Sequence, residues 1–305
     1  MNTKTDILAF LRQQRLPPSY EETVSTWYLP LAGTLAGHHA GAGRPLLVGL
    51  NGSQGSGKST LAALLVQLLA DVHRLRAIDL SIDDFYLSRQ TRQALASQVH
   101  PLLATRGVPG THDVSLLLET LQQLTQGTTT VAVPCFDKAS DDRCPESEWL
   151  AVSAPVDVVI VEGWCLGVPA QPEEALHRPV NDLEAAEDPD GRWRRYINRQ
   201  IHGQYQALYD LVDTWIMLQA PSFECVYQWR REQEARLAES LLEQGKDVYG
   251  DTQVMTDTQL RRFIQHYKRL TEHALAELPG LVHYLFRLDD DRRIMALEKP
   301  RPVRL

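Results

Sequence analysis

The stretch Gly52-Ser53-Gln54-Gly55-Ser56-Gly57-Lys58-Ser59-Thr60 constrains this chain more than any other. It satisfies the pattern G-x-x-x-x-G-K-[ST] at every fixed position and carries one further glycine inside the loop. The apolar run Leu46-Leu47-Val48-Gly49-Leu50 before it predicts a buried strand. The run Leu61 to Leu69 after it, apolar nearly all round, predicts a buried helix. In that context the glycines let backbone N–H groups turn inward around phosphate oxygens, and the helix start adds its positive dipole end. Lys58 is placed to reach the β- and γ-phosphates, and the Ser59 hydroxyl to hold Mg²⁺. The pattern predicts binding of a nucleoside triphosphate.

Further strands are expected over Arg76 to Ile82, Thr128 to Val133, Val156 to Val161, Thr214 to Gln219 and Leu281 to Leu288. Most are short, β-branched apolar runs without alternation, as expected of strands covered on both faces. Helical patterns separate them, over Val114 to Leu124, Trp193 to Leu211, Phe223 to Leu242 and Thr258 to Glu277. The alternation predicts an α/β fold, a doubly wound, mainly parallel sheet with helices on both faces. Ligands of such sheets sit at the C-terminal strand ends. Two helices, Ile7 to Gln14 and Tyr20 to Ala36, lead through Ala40-Gly41-Ala42-Gly43, a candidate flexible linker. The expected division is an N-terminal helical appendage over 1–43 and a phosphate-loop domain over 44–305. Within the second, the Pro- and acid-rich stretch around 167–191 predicts an exposed insertion.

Composition narrows the function from the other side. The 305 residues are 43% hydrophobic and carry a formal net charge of −8, which argues against a broad nucleic-acid-binding face. No apolar run is long enough to cross a bilayer, and the N-terminus lacks the regions of a signal peptide. Cys135, Cys144, Cys165 and Cys225 lack metal-ligand spacing and read as reduced thiols of a cytoplasmic protein.

Several charged segments fall at expected strand ends. Ser81-Ile82-Asp83-Asp84-Phe85-Tyr86 offers adjacent carboxylates. One suits a base toward an acceptor hydroxyl and the other suits Mg²⁺ or its waters, and strand alternation would send them to opposite sides. Val156 to Gly163 is an apolar strand ending in Glu162, a metal-side carboxylate, with Gly163 leaving room for a ligand. Two polar loops, Arg106 to Asp113 and Pro134 to Arg143, suit recognition of a small polar acceptor. Arg106, Lys138 and Arg143 could pair with a carboxylate, and Asp113 and Asp137 with hydroxyls. Asp113 equally suits an N-cap for the helix starting at Val114. On the helix after Gln219, Arg230 or Arg231 could close over the phosphates, or Arg230 could pair with Glu234 on a solvated face. Met255-Thr256-Asp257 reads as a helix cap. Asp188-Pro189-Asp190-Gly191 mimics a GTPase switch D-x-x-G but lies in a polar loop, and no Asn-Lys-x-Asp motif accompanies it.

Taken together, these segments resemble the phosphate-loop kinases of small metabolites, such as uridine kinase, phosphoribulokinase and pantothenate kinase. Similarity is closer to the D-glycerate 3-kinase family. The matching segments are Asp83-Asp84-Phe85-Tyr86, Arg106 to Asp113, Phe136-Asp137-Lys138, Glu162-Gly163-Trp164, Trp193 to Asn198, Pro221-Ser222-Phe223, Trp229-Arg230 with Gln233-Glu234, and Met255-Thr256-Asp257. The resemblance implies an ATP- and Mg²⁺-dependent kinase acting on a small hydroxylated acceptor, D-glycerate first. Asp83 is then the base, with Asp84 second in line. Lys58 and Arg230 offset phosphoryl charge, Gly52 to Thr60 and Arg231 bind nucleotide, and Ser59, Glu162 and Asp84 take the metal. Tyr86, Arg106, His112, Asp113, Asp137, Lys138, Arg143 and Trp164 form the acceptor side. One departure stands out: Ala139 to Pro145 is shorter than the family's often Gly-rich segment and lacks glycine. A kinase of another hydroxylated metabolite and a nucleotide-binding regulatory ATPase are the competing expectations.

Overall fold

The computed structural model describes residues 3–243 and 254–300. Its central sheet has, among the described residues, six strands: β1 (Leu46–Gly52), β2 (Ala77–Ser81), β7 (Val158–Gly163), β8 (Thr214–Gln219), β9 (Tyr284–Leu288) and β10 (Ile294–Glu298). Their order is β10-β9-β8-β1-β7-β2. All neighbours are parallel except β10, which closes the edge antiparallel to β9. Every residue of β1 and β7 is buried, so both faces are covered, and the doubly wound expectation holds. The chain leaves β1 toward β2 on one side and later fills β8 and β9 on the other. The switch point, where such sheets bind ligands, therefore lies at the C-terminal ends of β1, β7 and β8.

Two carboxylates pin the strand entries. Asp213 accepts the Leu47 N–H at 2.9 Å, and Asp157 accepts the Arg76 N–H at 2.7 Å. After β1 comes the helix Lys58–His73, whose buried Leu61, Leu64, Leu65, Leu68 and Leu69 explain its apolar circumference. It is wedged between the sheet and the N-terminal helices.

Those N-terminal helices are α1 (Thr3–Gln13), α2 (Tyr20–Thr23) and, after a π-turn over Val24–Tyr28, α3 (Leu29–Ala42), so Lys58–His73 is α4. Ala40 to Gly43 is not a flexible linker: it is the last turn of α3, closed by Gly43 at φ 64°. Ile7, Phe10, Leu31 and Leu35 join the same core cluster as β1, and the Tyr28 ring packs edge-on against Phe286 of β9 at 6.0 Å.

Next follow α5 (Arg89–Gln98) and α6 (Val114–Gln126), then the strands β3 (Thr130–Val133), β4 (Phe136–Asp137), β5 (Asp142–Arg143) and β6 (Leu150–Ser153). The expected third strand of the parallel sheet is overturned here. β3 pairs antiparallel with β6 in a separate ribbon, and β4 pairs with β5 in another. The reason is legible in β3 itself: Val131 and Val133 are buried while Thr130 and Ala132 are exposed, so one face meets water. The polar loop after it thus leaves a satellite ribbon and not a central strand.

The stretch around 167–191 is polar but not exposed throughout. It contains α7 (Asp182–Glu187) and buries Leu176, Leu183, Glu184 and Asp188. α8 (Arg192–Gln200), a π-turn over Ile201–Tyr205, α9 (Gln206–Tyr209), α10 (Phe223–Glu243) and α11 (Asp257–Glu277) complete the helices. Arg269 of α11 grips both Glu184 oxygens at 2.7 and 2.6 Å, and Arg194 of α8 meets Asp188 at 3.0 Å. Buried acids in water-poor surroundings need such partners, which ties the stretch to the body. The cap expected at Met255 to Asp257 forms as a full capping box on α11, built by Thr256 and Gln259. No helix among the described residues is long and apolar enough to cross a membrane.

Candidate active site

The phosphate side is held mainly by backbone. Between β1 and α4 the loop turns through Gly55 at φ 79° and Gly57 at φ 91°, conformations that L side chains rarely adopt. A Cβ on Gly55 would stand 2.6 Å from the Trp229 Cβ, and one on Gly52 would stand 2.5 Å from the Ser56 Oγ. The loop is therefore drawn tight against α10. Ser53 Oγ, Ser56 Oγ and Gln54 Oε1 are buried there without a partner among the described residues. Buried polar atoms are costly unless something fills their bonds, and triphosphate oxygens suit the two hydroxyls. Thr60 sits beside Ser59 in the first turn of α4.

At the end of β7, Glu162 meets two residues of the phosphate loop and the first turn of α4. Ser59 Oγ donates to Glu162 Oε1 at 2.7 Å, and Lys58 Nζ lies 3.6 Å from Oε2. Burial alone would lower the Lys58 pKa, but Glu162 and then Asp83 outweigh it and raise it, so the ammonium stays charged. A hydroxyl and a buried carboxylate in contact form the hard oxygen set that Mg²⁺ prefers, and Glu162 Oε2 has no hydrogen-bond donor of its own. The residues present therefore fit the ion. A Cβ on Gly163 would stand 2.6 Å from Ile82, so the missing side chain is used by the packing of the strand end.

The paired carboxylates do not lie on a strand. β2 stops at Ser81, whose Oγ accepts the Asp83 N–H and opens a 3₁₀ turn over Ile82–Phe85. Strand alternation thus does not separate them; their neighbours do. Asp83 receives the Tyr86 hydroxyl at 2.8 Å on Oδ1 and Lys138 Nζ at 2.8 Å on Oδ2. Burial would push its carboxyl up, but Lys138, Lys58 and His112 overcome that and hold it down at about 2. At Asp84 burial dominates and, helped by the Asp83 and Glu162 charges, pushes the carboxyl up to about 6 despite the Phe136 N–H and Lys138.

Around Asp83 several of the residues expected on the acceptor side come together. Tyr86 stacks on His112 with ring centroids 4.6 Å apart, and the two are joined by an isolated bridge. His112 is buried, its Nδ1 lies 2.5 Å from the Tyr205 hydroxyl, and its Nε2 has no partner among the described residues. Burial pulls its pKa down to about 4 against the pull of Asp83, so the ring is neutral at neutral pH. Asp113 takes the capping role, its Oδ1 accepting the Leu116 N–H of α6, while its Oδ2 takes Arg143 at 3.2 Å. Arg106 pairs with Asp141 and lies over the Phe136 ring. The Trp164 indole N–H donates to the Gly107 carbonyl at 3.0 Å, bracing the Arg106–Asp113 loop.

Three candidates stand apart. Asp137 is engaged by its own turn, accepting the Ala139 and Ser140 N–H groups at 2.9 and 3.0 Å. Arg231 is 62% exposed and faces Asp257 at 4.0 Å. Arg230 pairs with Glu234 and lies over Phe263, yet its charge reaches Tyr267, which also senses Asp83.

Other residues emerge only from the fold. Arg292, in the turn between β9 and β10, donates to the Gly55 carbonyl at 2.8 Å, stacks over Trp229 and pairs with Glu232 at 2.5 Å. Tyr205 comes from the π-turn after α8, where Gly203 was the faint hint of irregular helix. The Tyr267 hydroxyl donates to the Arg106 carbonyl at 3.2 Å. The sequence carries no local signal for Arg292 or Tyr267, because their partners are distant in the chain.

Comparison with known proteins agrees with this geometry. Residues 47–224 match the model of the Phosphoribulokinase / Uridine kinase family. The kinase mug58 of Schizosaccharomyces pombe is 31% identical over 255 residues, 79% of this chain and 85% of that protein. The chloroplastic D-glycerate 3-kinase of Arabidopsis thaliana is 29% identical over 245 residues, 77% of this chain and 50% of that protein. Among solved structures, D-glycerate 3-kinase from Cryptococcus neoformans var. grubii superposes with a TM-score of 0.74 at 27% identity, covering 89% of this chain and 97% of that one.

Proposed function

We propose, because this chain belongs to the phosphoribulokinase / uridine kinase family, that it transfers the γ-phosphoryl group of ATP to the 3-hydroxyl of D-glycerate. The observation that carries this reading is the convergence of Lys58 and Lys138 on Asp83. One lysine comes from the phosphate loop and the other from the β4–β5 hairpin, so the carboxylate stands between the two halves of the site. The D-glycerate 3-kinase names of two relatives support the choice of acceptor.

In this reading Asp83 accepts the acceptor's hydroxyl proton as the bond to phosphorus forms. Lys138, 59% exposed and paired only through its ammonium, turns from Asp83 to the acceptor carboxylate. Arg143, held between Asp113 and the Tyr86 carbonyl, adds a second cation on that side. Lys58 and Arg230 offset the charge that spreads over the phosphoryl oxygens. Ser59 and Glu162 would hold Mg²⁺, with Asp84 beyond them, and the bound ion supplies charge neutralisation at the β- and γ-phosphates.

An ADP-release assay with Mg-ATP and an acceptor panel led by D-glycerate tests this, wild type beside Asp83→Asn. D-glycerate should stimulate release, and the substitution should lower kcat by about 10²- to 10⁴-fold, the worth of a positioned base. Stimulation by a nucleoside or pantothenate alone would keep the kinase and discard glycerate. ATP binding without stimulation by any acceptor would overturn the kinase reading in favour of a regulatory ATPase.

A further inference from the structure

Two thiols face each other at the base of the acceptor hairpin. β4 and β5 pair Phe136 with Arg143 and Asp137 with Asp142, so the next rung opposes Cys135 and Cys144. The Cys144 N–H closes that rung on the Cys135 carbonyl at 3.0 Å. Directly opposed residues of an antiparallel pair share one face, with Cα atoms about 4.5–5.5 Å apart. That separation lies inside the roughly 4.4–6.8 Å window a disulfide accepts. The Cys135 thiol now donates to the Glu148 carbonyl at 3.7 Å, and both residues are half-buried, within reach of a small oxidant. The remaining cysteines differ: Cys165 is buried, and the Cys225 thiol donates to Asp290 at 3.1 Å.

We propose that Cys135 and Cys144 form a reversible redox pair whose disulfide locks the Phe136–Arg143 hairpin and, with it, the placement of Lys138 over Asp83. The effect on turnover rests on the roles given above to Lys138 and Asp83; formation of the disulfide does not.

The oxidant is a low-molecular-weight disulfide of the glutathione type. One protein thiolate attacks a sulfur of that disulfide, forming a mixed disulfide and expelling one glutathione thiolate. The second protein thiolate then attacks the protein-side sulfur, closing the Cys135–Cys144 bond and expelling the second. The two protons lost by the cysteines go to the two leaving thiolates, and two electrons pass from protein to oxidant. Burial, foremost, pushes the Cys135 thiol up to about 12, and the exchange balances in the same way whichever of the two thiolates attacks first.

The hairpin bears three charges of the acceptor side. Lys138 meets Asp83, Asp141 meets Arg92 and Arg106, and Arg143 meets Asp113. A bond of about 2.05 Å between the sulfurs draws the rung together and removes the freedom Lys138 needs to change partners. Full-length protein equilibrated across ratios of reduced to oxidised glutathione should yield, on peptide mapping, a Cys135–Cys144 cross-link that dithiothreitol reverses. In the same samples kcat/KM for D-glycerate should fall at least about tenfold, as small misplacements cost a preorganised site. ATP affinity should not change. Cys225→Ser should keep both responses, while Cys135→Ser and Cys144→Ser should each lose both. Cys144→Ala serves if a serine variant unfolds.

Glutathione adducts without an internal cross-link would overturn the proposal, and so would a cross-link that leaves acceptor kinetics unchanged. If the reduced protein fails to turn over D-glycerate, the functional reading has failed by itself. Hydrogen exchange over 136–143 then decides the lock: slowed exchange upholds it, and unchanged exchange overturns it.

Discussion

Where the phosphate loop places its donors with backbone conformation, the acceptor hairpin places its charges with ion pairs between segments far apart in sequence. Gly55 and Gly57 take left-handed turns within one continuous stretch, and Trp229 closes against the first of them. On the other side Lys138 meets Asp83 across 55 positions, Arg106 meets Asp141 across 35, and Arg143 meets Asp113 across 30. Backbone cradles bind what every nucleotide shares, and their geometry is costly to alter. Side-chain pairs bind what distinguishes one acceptor from another and can be exchanged one at a time. The two halves should therefore break in different ways.

The largest break should come from adding a single methyl group to the phosphate side. Gly55→Ala forces a left-handed alanine, about 1–3 kcal/mol. It also drives the new Cβ into Trp229, overpacking worth about 1–3 kcal/mol more. A loop that relieves both by leaving its phosphate-binding conformation gives up at most their sum in binding, about 4 kcal/mol at mid-range, a ceiling of nearly a thousandfold on the loss in kcat/KM for ATP. Steady-state kinetics at saturating acceptor checks this. A loss below about tenfold would show that the loop adapts and that the contrast between the halves is weaker than drawn.

The same contrast explains what could be read from the chain. The phosphate loop, Glu162 at a strand end and the mainly parallel sheet were legible because each is a local pattern: glycine spacing, an apolar run, β-branched residues without alternation. β3 was misplaced although its own alternation held the signal, since a short apolar run between helices resembles a central strand. Asp83 and Asp84 were found as a pair, but their different environments follow from a 3₁₀ turn that the motif does not announce. The linker at Ala40–Gly43 turned helical because alanine favours helix and a final glycine suits the left-handed cap. Arg292, Tyr205 and Tyr267 stayed hidden, as each acts through a partner that only folding brings near.

A second break separates two groups near Asp83 by pH. His112 drops from an ordinary 6.5 to about 4, so between those values the unfolded chain binds more protons and stability rises with pH. Asp84 climbs from 3.8 to about 6, so between those values the native state binds more protons and stability falls with pH. Each contributes up to about 3 kcal/mol, and over the shared window they oppose one another. Urea midpoints of the metal-free protein should thus vary little from pH 4 to 6. Asp84→Asn should expose a stability that rises with pH, and His112→Asn one that falls. Parallel profiles for both variants would mean that neither group holds the environment described.

The smallest break is the sharpest test of the comparison, because it should touch one half and leave the other intact. Lys138 is 59% exposed, and an exposed ion pair is worth only about 0–1 kcal/mol, so Lys138→Met should leave the thermal midpoint nearly unchanged. Its loss should instead be felt where an anionic acceptor needs a cation: KM for D-glycerate should rise about tenfold, 1.4 kcal/mol, with KM for ATP unaltered. Glycerol, which offers hydroxyls without a carboxylate, separates the two roles Lys138 could hold. If the lysine binds the acceptor's charge, the substitution leaves the weak turnover of glycerol where it was. If it serves only to hold Asp83 in place, glycerol and D-glycerate lose turnover together, and kcat falls in place of a rise in KM. In that second case the acceptor half would be a fixed scaffold like the phosphate half, and its specificity would have to come from Arg143 and the His112 ring.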